Sequence, residues 1–346
     1  MTHFQIIGGG IAGASIAYHL AKNEQKVTVY DRHDQGQATS ASAGIICPWT
    51  SQRRNKAWYR LVKAGAKYYP TFIKELEGLT GHSTGYQQNG ALSLFKDSHI
   101  QGLAYERIMN KAAEAPEMGQ VKKLSPDELR TLHPYLTTHF PAVYVEGGAQ
   151  VSGNMLLETL KLAIKKLGGE WIATDQAPKE LLGKVIYTAG AWANEYAEDA
   201  NVRHQRAELL DIKVNTNINR SDIPVVMGLG PMYIVNNGNQ HFYIGTTHED
   251  TVQFDTSENE VNRDYLLTQA NRYFTEHTIE KCYSSIGMRP LTDDNLPFIG
   301  PVNGVYVVNG LGSSGLTAGP VIGREVARFL LGLETTLNLT DYNHLA

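Results

Sequence analysis

Gly8, Gly10 and Gly13 make a G-x-G-x-x-G sequence directly after a short apolar run, His3-Phe4-Gln5-Ile6-Ile7. No other feature constrains the chain so tightly. Residues Ala14 to Lys22 follow with helical spacing, and Val27-Thr28-Val29-Tyr30 reads as a second strand ending at Asp31. In such a strand–turn–helix–strand unit the first glycine permits the tight turn. The second lets a pyrophosphate approach the backbone, and the third allows close helix–strand packing. The helix N-terminus offers free N–H groups and a positive dipole end to phosphate. Asp31, with Arg32 beside it, stands near the position where an acidic residue accepts ribose hydroxyls. Three glycines alone mark only a tight turn, and a strand-end carboxylate alone is a solvated group. Together they point to a dinucleotide, without separating FAD from NAD.

Composition narrows the class. A chain of 346 residues with 42% hydrophobic and 19% charged residues is globular, and its length suits two domains. Lys plus Arg number 31 and Asp plus Glu 35, a formal charge of −4, which argues against nucleic acid as a partner. Cys47 and Cys282 cannot build a disulfide framework, no apolar run is long enough to span a membrane, and no secretory leader pattern opens the chain. These features lead us to expect a cytoplasmic protein. Twelve histidines include no H-E-x-x-H, so no metal is expected. Oligomeric state is not legible, and homo-oligomerisation stays open.

Helices are expected over 56–77, near 99–115, over 154–167 and 259–277, and from Leu316 to Leu331. Ser125-Pro126-Asp127-Glu128 reads as a capped helix start. Buried strands are expected at Val185–Gly190 and Val305–Val308. Strand-like runs at Ala91–Phe95, Met232–Val235 and His241–Ile244 are of the antiparallel type. Parallel-type strands at the two ends and the middle, with antiparallel-type strands between them, suggest an α/β chain of two interleaved domains, each discontinuous in sequence, the first on the parallel strands and the second on the antiparallel ones. Segments 1–80, 141–205 and 285–346 fall to the first domain, and 81–140 with 206–284 to the second.

Two further motifs bear on the ligand. Ala38-Thr39-Ser40-Ala41-Ser42-Ala43-Gly44 is a loop of small and hydroxyl residues, able to lie against a planar ring. Near the end, Asn309-Gly310-Leu311-Gly312-Ser313-Ser314-Gly315-Leu316-Thr317 is a second glycine-rich turn from strand to helix. It offers a second positive helix end, which suits an anionic reduced flavin and not a nicotinamide. With Thr188-Ala189-Gly190-Ala191-Trp192, Tyr233-Ile234-Val235, Tyr243-Ile244-Gly245-Thr246 and Gly287-Met288-Arg289-Pro290, the chain resembles the D-amino-acid oxidase family of flavoproteins, on its glycine oxidase and sarcosine oxidase side.

The resemblance implies a Rossmann-type FAD-binding domain with a discontinuous α+β substrate domain built on a mixed, largely antiparallel sheet, together with FAD and oxidation of the C–N bond of a small amino or imino acid by hydride transfer to flavin N5. Oxygen or another acceptor would reoxidise the flavin. It assigns the substrate carboxylate to Arg289, whose fork binds it bidentately, with Tyr233 as hydroxyl partner and Tyr243 as a weaker candidate. A salt bridge from Arg289 to Asp293 or Asp294 is the competing structural reading. Ser313 and Ser314 correspond to the flavin–substrate boundary or cap the last helix. Cofactor contacts are implied at Gly8, Gly10, Ile11, Ala12, Gly13, Asp31, Arg32, Thr39, Ser40, Ser42, Ala43 and Gly44. They are also implied at Ala177, Ala189, Gly190, Trp192, Arg289, Gly310, Gly312, Ser313, Ser314, Gly315, Leu316 and Thr317. Ile45 would line the substrate pocket. Gly287 stands where flavin-linked relatives carry cysteine, so FAD is expected to be noncovalent. The stretch Trp171 to Lys184 is short, which affects the adenine side. His248 and Glu249 read as structural, and Arg53 with Arg54 as solvated or entrance-lining. Alternatives are a same-fold enzyme acting on glycerol phosphate or a nucleoside amine, an NAD-dependent dehydrogenase, or a non-enzymatic flavin-binding protein. A phosphate substrate would want more basic residues clustered near Arg289, and none are expected there.

Overall fold

The computed structural model describes residues 2–176, 178, 181, 183–195, 202–251 and 253–343. In its first half the chain forms strand β1 (His3–Ile7), helix α1 (Ile11–Lys22), β2 (Lys26–Asp31), α2 (Lys56–Thr80), β3 (Ala91–Leu94), β4 (Ala142–Val145), α3 (Gly153–Lys166), β5 (Glu170–Ala173) and β6 (Lys184–Tyr187). There follow β7 (Arg203–Asn215), β8 (Val225–Met227), β9 (Tyr233–Asn236), β10 (His241–Gly245), β11 (Thr278–Leu291), β12 (Phe298–Val302), β13 (Val305–Asn309) and α4 (Gly315–Leu330).

The first sheet has the order β12-β13-β6-β1-β2-β5, parallel except for the β12–β13 hairpin. The strands around β1 are buried on both faces and read as apolar runs for that reason. The second sheet has nine strands and runs through β7, β10, β9, β8, β3 and β4, with β11 on the far side of β7. Its pairs are antiparallel apart from β8 with β3. The expected first-domain segment 141–205 begins with β4, which hydrogen-bonds into this second sheet.

Two helices close the first sheet and set the site. Gly319 and Gly323 of α4 face Ile11 and Ser15 of α1, where a Cβ would stand 2.6 and 2.4 Å from those side chains. The axes therefore lie close together, and both N-termini open toward one cavity. Pro320 removes the N–H that would bond the Leu316 carbonyl within α4, and the buried Tyr69 hydroxyl of α2 donates to that carbonyl instead (2.6 Å). Phe72, Leu76, Val321 and Val326 fill the core between these helices. A smaller apolar cluster around Leu210, Ile212, Phe242, Tyr273 and Phe274 backs the second sheet. Ser125 and Glu128 form the reciprocal capping box expected from sequence. Among the described residues no helix is long and apolar enough to cross a membrane.

Candidate active site

A cavity of about 650 Å³ runs between the N-termini of α1 and α4 on one side and the second sheet on the other. Its first end is built by the opening motif. Gly8 adopts φ +102°, and a Cβ there would lie 2.5 Å from the Thr188 carbonyl oxygen. A Cβ on Gly10 would meet only the Thr39 hydroxyl, at 3.6 Å, so the backbone is open to a ligand on that side. The Ile11 N–H donates to the Thr39 hydroxyl (3.1 Å). Neither α1 nor α4 carries an acidic residue in its first turn, which leaves both positive ends unneutralised. Asp31 is buried and accepts from the Gly9 N–H at 3.1 Å and from Gln37 Nε2 at 3.3 Å. Arg32 pairs with Asp34 and with Glu195.

The other end is a sheet face. In the β7–β11 ladder Gln205 stands opposite Arg289, and Ala207 opposite Gly287. Leu209 pairs with Gly245 of β10, which pairs in turn with Tyr233 of β9. Directly opposed residues share a face, so this register presents Arg289, Gln205, Ala207, Leu209 and Tyr233 together. The Met288 N–H donates to the Gly36 carbonyl (2.8 Å), which ties the end of β11 to the loop after β2.

Arg289 is partly buried and donates from Nη1 to the Gln205 amide oxygen (3.1 Å). Among the described residues no carboxylate pairs with it. Asp293 instead lies 3.9 Å from Arg203, and Asp294 accepts from Thr292 and the Leu296 N–H. Burial lowers the proton affinity of the Arg289 guanidinium, with Arg53 adding to this and Tyr233 opposing it. Burial pushes the Tyr233 phenol up to about 12, against the pull of Thr246 and Arg289, so it remains a proton donor. Burial, Arg289 and Arg53 all push His248 below the usual histidine value.

Most of the expected residues line this cavity: Gly8, Gly10, Ile11, Ala12, Asp31, Arg32, Thr39, Ser42, Ala43 and Gly44, then Ala189, Gly190, Trp192, Tyr233 and Arg289, and Gly312 through Thr317. Ile45 lines it as well. Gly13 lies beneath it, packed on the Gly8 carbonyl. Ser40 is exposed, and Gly310 abuts Thr292. Tyr243 does not reach the cavity. It shares the face of Tyr233 but pairs with Val235, two residues or about 7 Å further along the strands. Ala177 lies outside the described residues.

The structure adds Trp58, which the sequence did not bring forward, and gives a place to residues the sequence had left open or read otherwise. Trp58 donates from its indole N–H to the Ser314 hydroxyl (3.0 Å). Arg53, exposed at the rim, lies over the Trp58 ring at 4.9 Å and donates to the Ser313 hydroxyl (3.1 Å). His248, expected to be structural, lines the cavity too, so basic groups do gather around Arg289 although none is adjacent in sequence. They arrive from two separate loops and one strand, and no local spacing signals it. Cys47 lines the cavity as a free, buried thiol whose pKa burial pushes up to about 12.

The residues fit FAD: an open backbone at Gly10, a buried carboxylate at the end of β2, and a second unneutralised helix end across the cavity. Comparison with known proteins agrees. Residues 4–329 match the family model described as FAD dependent oxidoreductase, DAO. The chain is 37% identical to the "Uncharacterized oxidoreductase YurR" of Bacillus subtilis over 99% of its own length and 98% of that protein's. It is 25% identical to a glycine oxidase of Geobacillus kaustophilus, over 99% of this chain and 97% of that one. Among solved structures, iminodiacetate oxidase (IdaA) from Chelativorans sp. BNC1 superposes with a TM-score of 0.90 at 30% identity, covering 98% of both chains.

Proposed function

The chain belongs to the DAO family of FAD-dependent oxidoreductases, and from that premise we propose that it oxidises the C–N bond of a small amino or imino acid. One observation carries the reading. Arg289, a guanidinium with no carboxylate partner among the described residues, faces the same cavity as the two helix N-termini. An arginine fork without a carboxylate is a receptor for one.

Bound FAD would supply the acceptor for the hydride of the C–H bond next to the substrate nitrogen. The chain's own residues do the rest. Arg289 binds the substrate carboxylate and fixes its orientation, held in place by Gln205. The Tyr233 phenol, kept protonated by burial, donates a second hydrogen bond. Leu209, Ala207 and Trp58 wall the cavity with apolar surface that displaces water. Among the described residues no carboxylate stands on the Arg289 face, so the substrate ammonium gives its proton to solvent before binding and enters as the neutral amine. The imine then hydrolyses to a carbonyl compound and an amine or ammonia.

The gathering of Arg53, Arg289 and His248 gives a second reading, a phosphate-bearing substrate such as glycerol phosphate, a specific footing. Anaerobic bleaching of the purified yellow protein separates the two. The panel is glycine, sarcosine, D-alanine, proline, iminodiacetate and glycerol 3-phosphate. Bleaching by a nitrogen-bearing acid and not by glycerol phosphate supports the proposal. Bleaching by dithionite alone, or by glycerol phosphate alone, refutes it.

A further inference from the structure

We propose that the substrate is an amine bearing two carboxylates, with Arg53 at the cavity rim receiving the second one while Arg289 holds the first. This inference rests on the proposed function and narrows its substrate class.

The charge distribution along the cavity carries the argument. Among the described residues its lining holds three carboxylates, Asp31, Asp34 and Glu195, and all lie at the dinucleotide end. Each is engaged there: Asp31 by Gly9, Gln37 and His33, the other two by Arg32. At the opposite end stand Arg53, Arg289 and His248, and among the described residues no carboxylate lines that region. Neither arginine has an acidic partner among the described residues. Two unneutralised guanidiniums in one cavity repel each other, and that repulsion is relieved by a ligand carrying matching negative charge. The influence of Arg53 on both Arg289 and His248 agrees with their sharing one electrostatic space.

Their anchoring favours two separate anionic groups over one phosphate. Arg289 hangs from the sheet wall, its Nη1 fixed by Gln205 of β7. Arg53 belongs to the helix wall, lying over Trp58 and bonded to Ser313 ahead of α4. A guanidinium on each wall of one cavity offers two separate forks to a single ligand. A monocarboxylate would satisfy only one. The arrangement also predicts which carboxylate matters for what. The one on Arg289 places the C–H bond, and the one on Arg53 adds affinity and selectivity from the exposed rim.

The test uses the purified holoprotein and two unreactive ethers of matched shape, diglycolate with two carboxylates and methoxyacetate with one. Each is titrated while the visible flavin spectrum is recorded, with inorganic phosphate as a third ligand. Diglycolate should bind about tenfold or more tighter than methoxyacetate, and the advantage should shrink as salt is raised. Arg53→Met should bring the ratio close to one, and Arg53→Lys should restore part of it. Equal affinity for the two ethers overturns the inference, as does a ratio untouched by Arg53→Met. Tighter binding of phosphate than of diglycolate overturns it in favour of a phosphate substrate. If equal ether affinity accompanies bleaching by a monocarboxylic amino acid, the broader proposed function stands. If no amino or imino acid bleaches the flavin, both fall.

Discussion

Replacing Arg289 by methionine removes the guanidinium and keeps most of the apolar stem. A structural role and a substrate-binding role predict opposite effects on stability. Breaking a buried ion pair costs about 3–5 kcal/mol, because it strands the remaining charge. Arg289 has no ionic partner among the described residues, only the hydrogen bond to Gln205 at 3.1 Å. Its burial is a desolvation cost that nothing in the free protein offsets fully. Arg289→Met should therefore leave the melting temperature of the FAD-loaded protein unchanged or raise it slightly. Turnover should respond very differently. Loss of a charged pair to the substrate costs about 2–5 kcal/mol, or roughly 30-fold to several thousandfold in kcat/KM. Arg289→Lys keeps the charge without the fork and should fall between. The assay is differential scanning calorimetry beside anaerobic stopped-flow bleaching, with flavin content checked by absorbance. A melting temperature several degrees lower, with kcat/KM within a few-fold of wild type, would refute the reasoning.

Other consequences test the fold around the site. Arg206 is buried, bridges Glu208 at 3.0 Å and Glu249 at 2.5 Å, and donates to the Asp255 and Ser257 carbonyls. Arg206→Met should cost about 3–5 kcal/mol in urea unfolding, since Glu208 would be left buried and unpaired. His19 and His133 are buried, and burial pushes each pKa down to about 3. In the unfolded chain they protonate near 6.5, so the unfolded state binds more protons below that pH. Stability should fall as pH drops from about 6.5 toward 3, by roughly 1.4 kcal/mol per pH unit for each histidine, and His133→Leu should flatten the slope. At Gly287 a Cβ would stand 2.9 Å from Ala41 Cβ, and the glycine offers no thiol for flavin attachment. Acid precipitation should therefore leave the yellow colour in the supernatant.

The opening motif was legible because its signal is local. A glycine turn, a strand before it and Asp31 after it lie within one short segment, and the structure builds them as read. The turn before α4 was legible for the same reason. The strands that carry Arg289 were harder. β11 runs from Thr278 to Leu291 through Ser284, Ser285, Gly287 and Pro290, with no clean alternation of apolar and polar residues. Its partner β7 carries buried Arg206, Glu208 and Asp211 where apolar residues would announce a strand. Pairing between these two long strands puts Gln205 opposite Arg289, a relation that sequence spacing does not contain. Tyr243 shows the converse. Sequence placed it beside Tyr233 as a second hydroxyl, but antiparallel register sets it one pleat repeat beyond the cavity. For Arg53 the sequence left a solvated and an entrance-lining reading open, and only tertiary structure decides between them, since the Ser313 hydroxyl that holds it comes from the other end of the chain.

The proposed function requires one cavity to hold a flavin between two helix ends and an arginine-bearing sheet. A crystal structure of the yellow protein as purified tests this most directly. It should show the adenosine ribose at Asp31, the pyrophosphate at the N-terminus of α1, and the flavin ring between α4 and the strand face of Arg289. A nicotinamide in that cavity would contradict the account, as would a flavin bound elsewhere on the chain.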